Sequence, residues 1–247
     1  MNDNLSGTLA MLELAIQLNQ FTFNNAIRFA WWTAEEVGLY GSTQFTRNTT
    51  KQELDKIALY LNVDMIAAPN PGFFVLNGNG SSSGAPGPAG SGHIQQTFER
   101  WFANNSIKTA PVALVDNSDH WPFLQAGIPV GGVFSGGEEI MSEEAAEWYV
   151  PLFDTIHLKC NDIFRRWQGQ AGIPYDPCYH FACDDVDNIN NDAWYTNTKA
   201  IAHTLSVYLN NLDGINRTHV PSNSSQLAEG HRPGHRHSAP LFGFGGY

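Results

Sequence analysis

The sequence predicts an α/β fold in three layers, α/β/α, built around a doubly wound and mostly parallel sheet. Segments with apolar residues at helical spacing alternate along the chain with shorter segments that are apolar almost throughout. Such continuous apolar character is typical of parallel strands that helices cover on both faces. The chain has 247 residues, of which 15% are charged and 12% aromatic, so it is long enough to bury one large core.

The first half of the chain alternates helix and strand. Leucines recur at helical spacing over residues 6–19, which predicts the first helix. Residues 25–33 are mostly apolar and predict a continuous buried strand. A helix is predicted for residues 37–46, and a second apolar strand for residues 56–63.

The second half continues this order. Residues 72–77 predict a third strand, residues 78–92 a loop rich in Gly, Ser and Pro, and residues 93–104 an amphipathic helix. Two further strands and a long closing helix complete the prediction: residues 112–115, 128–134 and 192–212. Residues 213–247 are rich in Ser, Gly, His and Pro, so we expect a disordered tail there.

Charge and hydropathy argue against two classes of partner. The formal net charge is −11, with 13 basic against 24 acidic residues, which disfavours a nucleic acid or an anionic membrane. No apolar run approaches the ~20 residues that span a bilayer. The first residues have neither a basic start nor an apolar stretch, so no signal peptide is predicted in this chain.

Two adjacent carboxylates, Glu35 and Glu36, end the apolar run over residues 25–33. Neighbouring side chains on an extended backbone point to opposite sides. One glutamate can therefore bind a metal while the other faces a substrate. In doubly wound sheets, ligands bind at the carboxyl ends of the strands, which is where this pair lies.

Other polar side chains are predicted at the same edge of the sheet. Asp64 follows the strand over residues 56–63, and Asp3 precedes the first helix. Asp119 and His120 follow the strand over residues 112–115, and Tyr179 and His180 precede the last helix. Several carboxylates with one histidine are typical of a site for a divalent metal. Each residue also has a structural interpretation: a helix-cap partner for Asp3, a turn for Asp64, packing for Tyr179 and a surface loop for His180.

The three cysteines are Cys160, Cys178 and Cys183. The last two enclose a short loop that a disulfide could close, and the alternatives are reduced thiols or half of a zinc site. The zinc interpretation is weak because there is no second cysteine pair. Glycosylation sequons, which fit secretion, occur at Asn48, Asn79, Asn104, Asn216 and Asn223.

Six short motifs occur in a characteristic order: NDNLSGT at 2–8, TAEEVGLYGS at 33–42, LNVDMI at 61–66, SDHWPF at 118–123, AGIP at 126–129 and YDPCYH at 175–180. Together they resemble the secreted di-zinc aminopeptidases, in particular the bacterial and fungal leucine aminopeptidase and aminopeptidase Y type. The resemblance covers roughly residues 2–212. It implies a zinc exopeptidase-like sheet that lacks its N-terminal strands, and a catalytic domain over residues 1–212.

The resemblance implies the metal ligands. Asp3 corresponds to the carboxylate that bridges two zinc ions. Glu36 and His180 correspond to the remaining protein ligands of one zinc, and Asp64 to a ligand of the other. The family has a further histidine ahead of the bridging aspartate that this chain does not contain, so the second site is expected to be incomplete and one edge of the sheet exposed.

The resemblance also implies the chemistry. Glu35 corresponds to the general base that activates a metal-bound water, and Tyr179 to the donor that stabilises the oxyanion. A Cys178–Cys183 disulfide is expected by similarity. The implied function is the removal of apolar N-terminal residues from peptides by a secreted enzyme.

Two features depart from the family pattern. Residues 149–167 are longer than the usual link, which predicts a surface insertion or retained intron sequence. Asn117 stands where relatives often carry an arginine that contributes to the substrate pocket. Because the upstream histidine is missing, a catalytically impaired binding module of the same fold is the alternative function. A single-zinc cyclising acyltransferase fits the motifs less well.

Overall fold

A computed structural model describes residues 1–82, 84–148 and 169–215. The described part begins with an irregular turn over Asn2–Ser6. Seven helices follow: α1 Gly7–Leu18, α2 Tyr40–Asn48, α3 Lys51–Leu54, α4 Ser91–Asn104, α5 His120–Gln125, α6 Glu143–Trp148 and α7 Asn191–Asn210. The four strands are β1 Tyr60–Val63, β2 Phe74–Leu76, β3 Ala110–Val112 and β4 Val130–Phe134.

The strands form one sheet in the order β1-β4-β2-β3. Strands β1 and β4 are parallel, as are β2 and β3, whereas β2 and β4 are antiparallel. The predicted mostly parallel sheet is therefore confirmed. Within the described residues, β1 is hydrogen-bonded to β4 only, so its other edge carries no strand.

Helices cover both faces of the sheet, as the predicted α/β/α layering requires. The larger apolar core joins one face to α1, α4 and α7, with Phe98 and Phe102 of α4 fully buried. On the other face, Phe123 of α5 packs with Val130 of β4 and with partly buried side chains of α2 and α3. Tyr60 of β1 stacks on Phe123, with ring centroids 4.0 Å apart.

Glycine in β4 allows α4 to lie close to the sheet. A Cβ atom built on Gly131 would lie far inside van der Waals contact with Ile94 of α4. On the opposite face of the strand, a Cβ atom on Gly132 would collide with the carbonyl oxygen of Asn62. Gly131 therefore permits the close approach of α4 to the sheet, and Gly132 permits the close approach of Asn62 in β1.

The prediction of a strand over residues 25–33 is wrong. Residues 26–32 form no strand and make no backbone hydrogen bond to another described residue. A groove of about 950 Å³ separates this segment from β1. None of residues 26–32 is fully buried, and only Phe29 and Trp32 pack partly against the apolar cores. The apolar composition therefore predicted neither full burial nor a backbone partner, because β1 lies across the groove.

Other predicted elements are confirmed with altered ends. The strand expected at 112–115 lies at Ala110–Val112, and helix α5 was not predicted. The expected insertion at 149–167 lies entirely outside the described residues, and so does the expected tail at 213–247 except for its first three residues. Among the described helices, none is both long and apolar enough to span a membrane.

Candidate metal and active site

The turn that carries Asp3 is tied to the loop before α7. The side-chain amide of Asn2 donates to Asp176 Oδ2 (2.7 Å), and the backbone N–H of Asp3 donates to Asp184 Oδ2 (3.0 Å). Asp176 is almost fully buried and accepts a further hydrogen bond from Asn188 (2.9 Å). These contacts fix Asp3 beside the loop that carries His180.

A turn follows residues 25–33 and separates the two glutamates. The backbone N–H of Leu39 donates to the carbonyl oxygen of Glu35 (2.8 Å), and Leu39 adopts the left-handed conformation before α2 begins. The Glu36 side chain is exposed and turned toward His180. The half-buried Glu35 side chain is influenced electrostatically by Asp64 more than by any other charged residue. The two carboxylates therefore serve different parts of the site.

The Cys178–Cys183 disulfide, expected by similarity, is present in the structure. It closes the short loop that contains Tyr179 and His180, whose rings stack with centroids 3.8 Å apart. The backbone N–H of Cys178 donates to Asp176 Oδ1 (3.0 Å), so the loop shares its anchor with the turn that carries Asp3.

Three of the predicted metal ligands converge on one point. His180 Nε2 lies 3.2 Å from Asp3 Oδ2 and 3.0 Å from Glu36 Oε2. One ligand atom from each of the three residues lies within 4.8 Å of the others. In the part of the chain that the structure describes, no other group of three or more His, Cys, Asp or Glu residues is close enough to share a metal ion. Asp64 lines the same groove but is not part of the group.

Burial and mutual repulsion raise the pKa values of the carboxyl groups. Burial, followed by the hydrogen bond and negative charge of Glu36, raises the pKa of Asp3 to about 7. Burial and the charge of Asp64 raise the pKa of Glu35 to about 8. Burial likewise raises the pKa of Asp64 to about 7, against the lowering effect of its hydrogen bond from Ser118. A positive charge between these carboxyl groups would lower all three pKa values.

The Asp64 carboxylate is oriented by two polar neighbours. The amide of Asn62 donates to Ser118 Oγ (2.9 Å), and the Ser118 hydroxyl donates to Asp64 Oδ2 (2.6 Å). The other oxygen, Oδ1, is buried and has no hydrogen-bond partner among the described residues. Because an unpaired buried carboxylate oxygen is costly, this atom is suited to bind a ligand.

Tyr179 is held in its protonated form. Burial, followed by the charge of Asp3, raises the pKa of its phenol. A phenol that keeps its proton can donate a hydrogen bond to a developing negative charge. This property fits the oxyanion role that the resemblance implies.

Ser118 and Asp184, which support the site, were not singled out from the sequence, whereas Asp119 and His120 were placed at the same edge of the sheet. Ser118 lies in one of the six motifs, and its position next to Asp119 was the available signal. Nothing in the sequence singled out Asp184 as an anchor. Asp119 accepts a hydrogen bond from Ser42 (2.5 Å), and burial raises its pKa. His120 is buried, which lowers its pKa to about 4 and keeps it neutral, and it contacts none of the proposed ligands through a hydrogen bond.

The donor set fits zinc. Carboxylate oxygen and imidazole nitrogen are both ordinary zinc ligands, and Asp3, Glu36 and His180 supply three of them at one point. The unpaired Oδ1 of Asp64 and the raised pKa values of the carboxyl groups indicate a site that is short of positive charge.

Two curated fungal proteins are similar to most of the chain. Probable leucine aminopeptidase 2 of Aspergillus oryzae is 39% identical over 232 residues, which are 94% of this chain and 43% of that protein. Leucine aminopeptidase 2 of Arthroderma otae is 41% identical over 214 residues, which are 87% of this chain and 40% of that protein. The chain thus spans about two-fifths of the length of these relatives.

Solved structures and a family model complete the comparison. BSAP, a zinc aminopeptidase from Bacillus subtilis, superposes with a TM-score of 0.61 at 21% identity, covering 85% of this chain and 42% of that one. An aminopeptidase from Aneurinibacillus sp. strain AM-1 gives 0.56 at 18% identity, covering 83% and 39%. These likenesses confirm the predicted fold. The model of Peptidase family M28 matches residues 1–205. The chain belongs to peptidase family M28.

Proposed function

We propose that this chain is the catalytic part of a zinc-dependent aminopeptidase, which removes N-terminal residues from peptides. One observation carries the proposal: Asp3, Glu36 and His180 converge on a point beside a separate carboxylate, Glu35. A carboxylate that is close to a metal site but is not a ligand is the arrangement that general acid–base catalysis requires. The leucine aminopeptidases among the relatives support this assignment.

Asp3, Glu36 and His180 would hold one zinc ion. When bound, zinc supplies a Lewis acid that polarises the peptide carbonyl and lowers the pKa of water. Asp3 and Asp64 would hold a second ion only weakly, because they provide two carboxylates and no imidazole. We therefore expect about one tightly bound zinc per chain.

Glu35 would act as the general base and acid, transferring a proton from the attacking water to the leaving amine. A nearby cation lowers the pKa of Glu35 from about 8, so that the side chain becomes an ionised base at neutral pH. Glu35 would take a proton from the attacking water and return it to the leaving amine. The phenol of Tyr179 would donate a hydrogen bond to the oxygen of the tetrahedral intermediate.

Carboxylates of the same site would select the substrate. Glu35 and Asp64 can bind the free α-ammonium group of a peptide, which restricts cleavage to the N-terminus. The names of the fungal relatives support a preference for apolar N-terminal residues. Val37 and Phe181, which follow two of the proposed ligands in the sequence, are exposed apolar side chains that can contact such a substrate.

We also propose that the protein is secreted. The Cys178–Cys183 disulfide is typical of an oxidising compartment. The three sequon asparagines among the described residues, Asn48, Asn79 and Asn104, are all exposed and hence accessible to glycosylation.

The second candidate is a binding module of the same fold with impaired catalysis. It is favoured by the weak second metal site that we propose, because no histidine among the described residues joins Asp64 in a group of possible metal ligands. The retained base, Glu35, argues against it, because peptide binding alone does not require a general base beside a metal site.

Hydrolysis of leucine 4-nitroanilide tests the proposal. We expect slow turnover that zinc stimulates and a chelator abolishes. Glu35→Ala should lower the rate about 10²-fold or more and leave zinc binding intact, since the base acts on the proton and is not a ligand. The matched control, Glu144→Ala on α6, should leave the rate unchanged.

Turnover that survives the chelator, or an unaffected Glu35→Ala variant, would contradict the peptidase proposal. A chain that binds zinc but does not hydrolyse the anilide would instead support the binding module.

A further inference from the structure

We propose that Asp119 is a positioning residue for Glu35, which it holds in place indirectly by accepting a hydrogen bond from Ser42 of α2. This hydrogen bond joins the loop before α5 to the turn that carries the two adjacent glutamates. The geometric part of the inference concerns the zinc-free chain. Its consequence for catalysis rests on the proposed function, in which Glu35 is the general base.

The turn that carries Glu35 and Glu36 has a strained backbone on both sides of the pair. Ala34 directly precedes the two glutamates, Leu39 ends the turn, and both adopt the left-handed conformation with φ of 55°. Residues with a Cβ atom rarely adopt this conformation, and they keep it only where the surrounding structure enforces it. Contacts from outside the turn are therefore needed to hold the two glutamates in their orientation.

The first turn of α2 lies directly against the backbone that precedes Glu35. The N–H of Tyr40 donates to the carbonyl oxygen of Ala34 (3.1 Å). The N–H of Gly41 donates to the carbonyl oxygen of Thr33 (3.0 Å). A Cβ atom on Gly41 would lie only 2.8 Å from the backbone N and O atoms of Thr33, so the close approach requires glycine. A shift of the first turn of α2 would therefore move the backbone of Glu35.

Ser42 anchors this first turn to the loop before α5. Ser42 is fully buried, and its hydroxyl donates to Asp119 Oδ1 (2.5 Å). Asp119 occupies the N-cap position of α5, where an aspartate usually accepts a hydrogen bond from a backbone N–H of its own helix. Its side chain makes no such capping bond. The carboxylate of Asp119 thus serves α2 and not the helix that it precedes.

The preceding residue, Ser118, extends the link to the other side of the site. Its hydroxyl donates to Asp64 Oδ2 (2.6 Å). Two adjacent residues therefore hold two separate carboxylates: Ser118 orients Asp64 directly, and Asp119 positions Glu35 through Ser42. Their loop fixes the place of the proposed base relative to Asp64.

An apolar contact also joins α2 to α5, since the ring centroids of Phe45 and Phe123 lie 5.9 Å apart. Apolar packing is non-directional, so it can hold two helices together while one of them rotates slightly. A hydrogen bond constrains both distance and angle. Loss of the bond between Ser42 and Asp119 should therefore loosen the turn and leave the helices folded.

Hydrogen–deuterium exchange of the zinc-free chain tests the geometric part. We expect Asp119→Ala to speed exchange at the backbone amides of residues 39–41, which donate to residues 33–35, by about tenfold or more, and to leave the amides of α4 unchanged. Asp119→Asn keeps an oxygen that can accept the hydrogen bond, so exchange should stay slow. Asp116→Ala, at an exposed position of the same loop, is the matched control.

Substitution of the donor provides an independent variant. Ser42→Ala should have the same effect as Asp119→Ala, and the double variant should exchange no faster than either, because all three lack the same hydrogen bond. Unchanged exchange at residues 39–41 in Asp119→Ala would overturn the proposal. So would equal acceleration in α4, which would indicate a general loss of stability, or fast exchange in Asp119→Asn.

Hydrolysis of leucine 4-nitroanilide tests the consequence for catalysis. Asp119→Ala should lower kcat about tenfold or more with a smaller change in KM, because a misplaced base slows proton transfer, and Asp119→Asn should retain most of the rate. Faster exchange at residues 39–41 with an unchanged kcat would contradict the positioning role. Absence of hydrolysis by the unsubstituted chain, with the expected exchange differences, would refute the proposed function and support the link from Asp119 to the turn.

Discussion

At the scale of single residues, the site is a set of carboxylates held closer together than their charges favour. Burial raises the pKa values of Asp3 and Asp64 to about 7 and that of Glu35 to about 8. Protons therefore neutralise these groups when no cation is present. Zinc binding would replace those protons, so metal affinity should rise with pH.

Ser118 is the residue whose removal should most directly disturb Asp64. We predict that Ser118→Ala lowers the free energy of unfolding by about 1–3 kcal/mol, because it removes a hydrogen bond to a buried carboxylate and leaves the Asn62 amide unpaired. Urea unfolding of the zinc-free protein measures the change. Ser206→Ala, at an exposed position of α7, is the control, and equal effects of the two substitutions would refute the role of Ser118.

The residues proposed to bear the chemistry were predictable from the sequence, whereas some of those that support them were not. Asp3, Glu36 and His180 were recognised from motifs, and the structure brings them together. Asp184 was not, because its role arises from a contact with a turn about 180 residues earlier in the chain. A contact between residues so far apart in the chain produces no local sequence pattern from which it could be predicted.

At the scale of elements, the close approach of α4 to β4 depends on Gly131. We predict that Gly131→Ala lowers the free energy of unfolding by about 1–3 kcal/mol, because the new methyl group must displace Ile94. Denaturant unfolding tests this, with Gly137→Ala as the matched control. At Gly137 the added carbon would meet its nearest neighbour, Glu139, at 3.5 Å, an ordinary contact.

If Gly131→Ala is no more destabilising than the control, the packing of α4 on the sheet tolerates more adjustment than the structure indicates. Periodicity predicted the existence of α4 and β4 well. It could not predict that residues 26–32 lie apart from the sheet, because an apolar run is the same whether or not a neighbouring strand is present.

At the scale of the whole molecule, the raised pKa values predict how stability depends on pH. The folded, zinc-free chain keeps protons on Asp3 and Asp64 between pH ~4 and ~7, and on Glu35 up to pH ~8, that the unfolded chain has released. The unfolded state thus binds fewer protons, and stability falls as pH rises. For each group, the free energy of unfolding falls by at most about 1.4 kcal/mol per pH unit.

Urea unfolding in the presence of a chelator at several pH values measures this slope. Glu35→Gln introduces a side chain that does not titrate, so it should make the free energy of unfolding depend less on pH. The same substitution at the exposed Glu144 should leave the pH dependence unchanged. A stability that rises steadily over this range would mean that the carboxylates are not repelling one another as the structure indicates.

The central claim is that Asp3, Glu36 and His180 form a zinc site in this M28 peptidase chain. The most direct test is the zinc content of the purified chain after dialysis, compared with that of His180→Ala and of the control His203→Ala, which alters an exposed histidine on α7. We predict about one zinc per chain, lost in His180→Ala and retained in His203→Ala. Unchanged zinc content in His180→Ala, or no zinc in the unsubstituted chain, would contradict the claim.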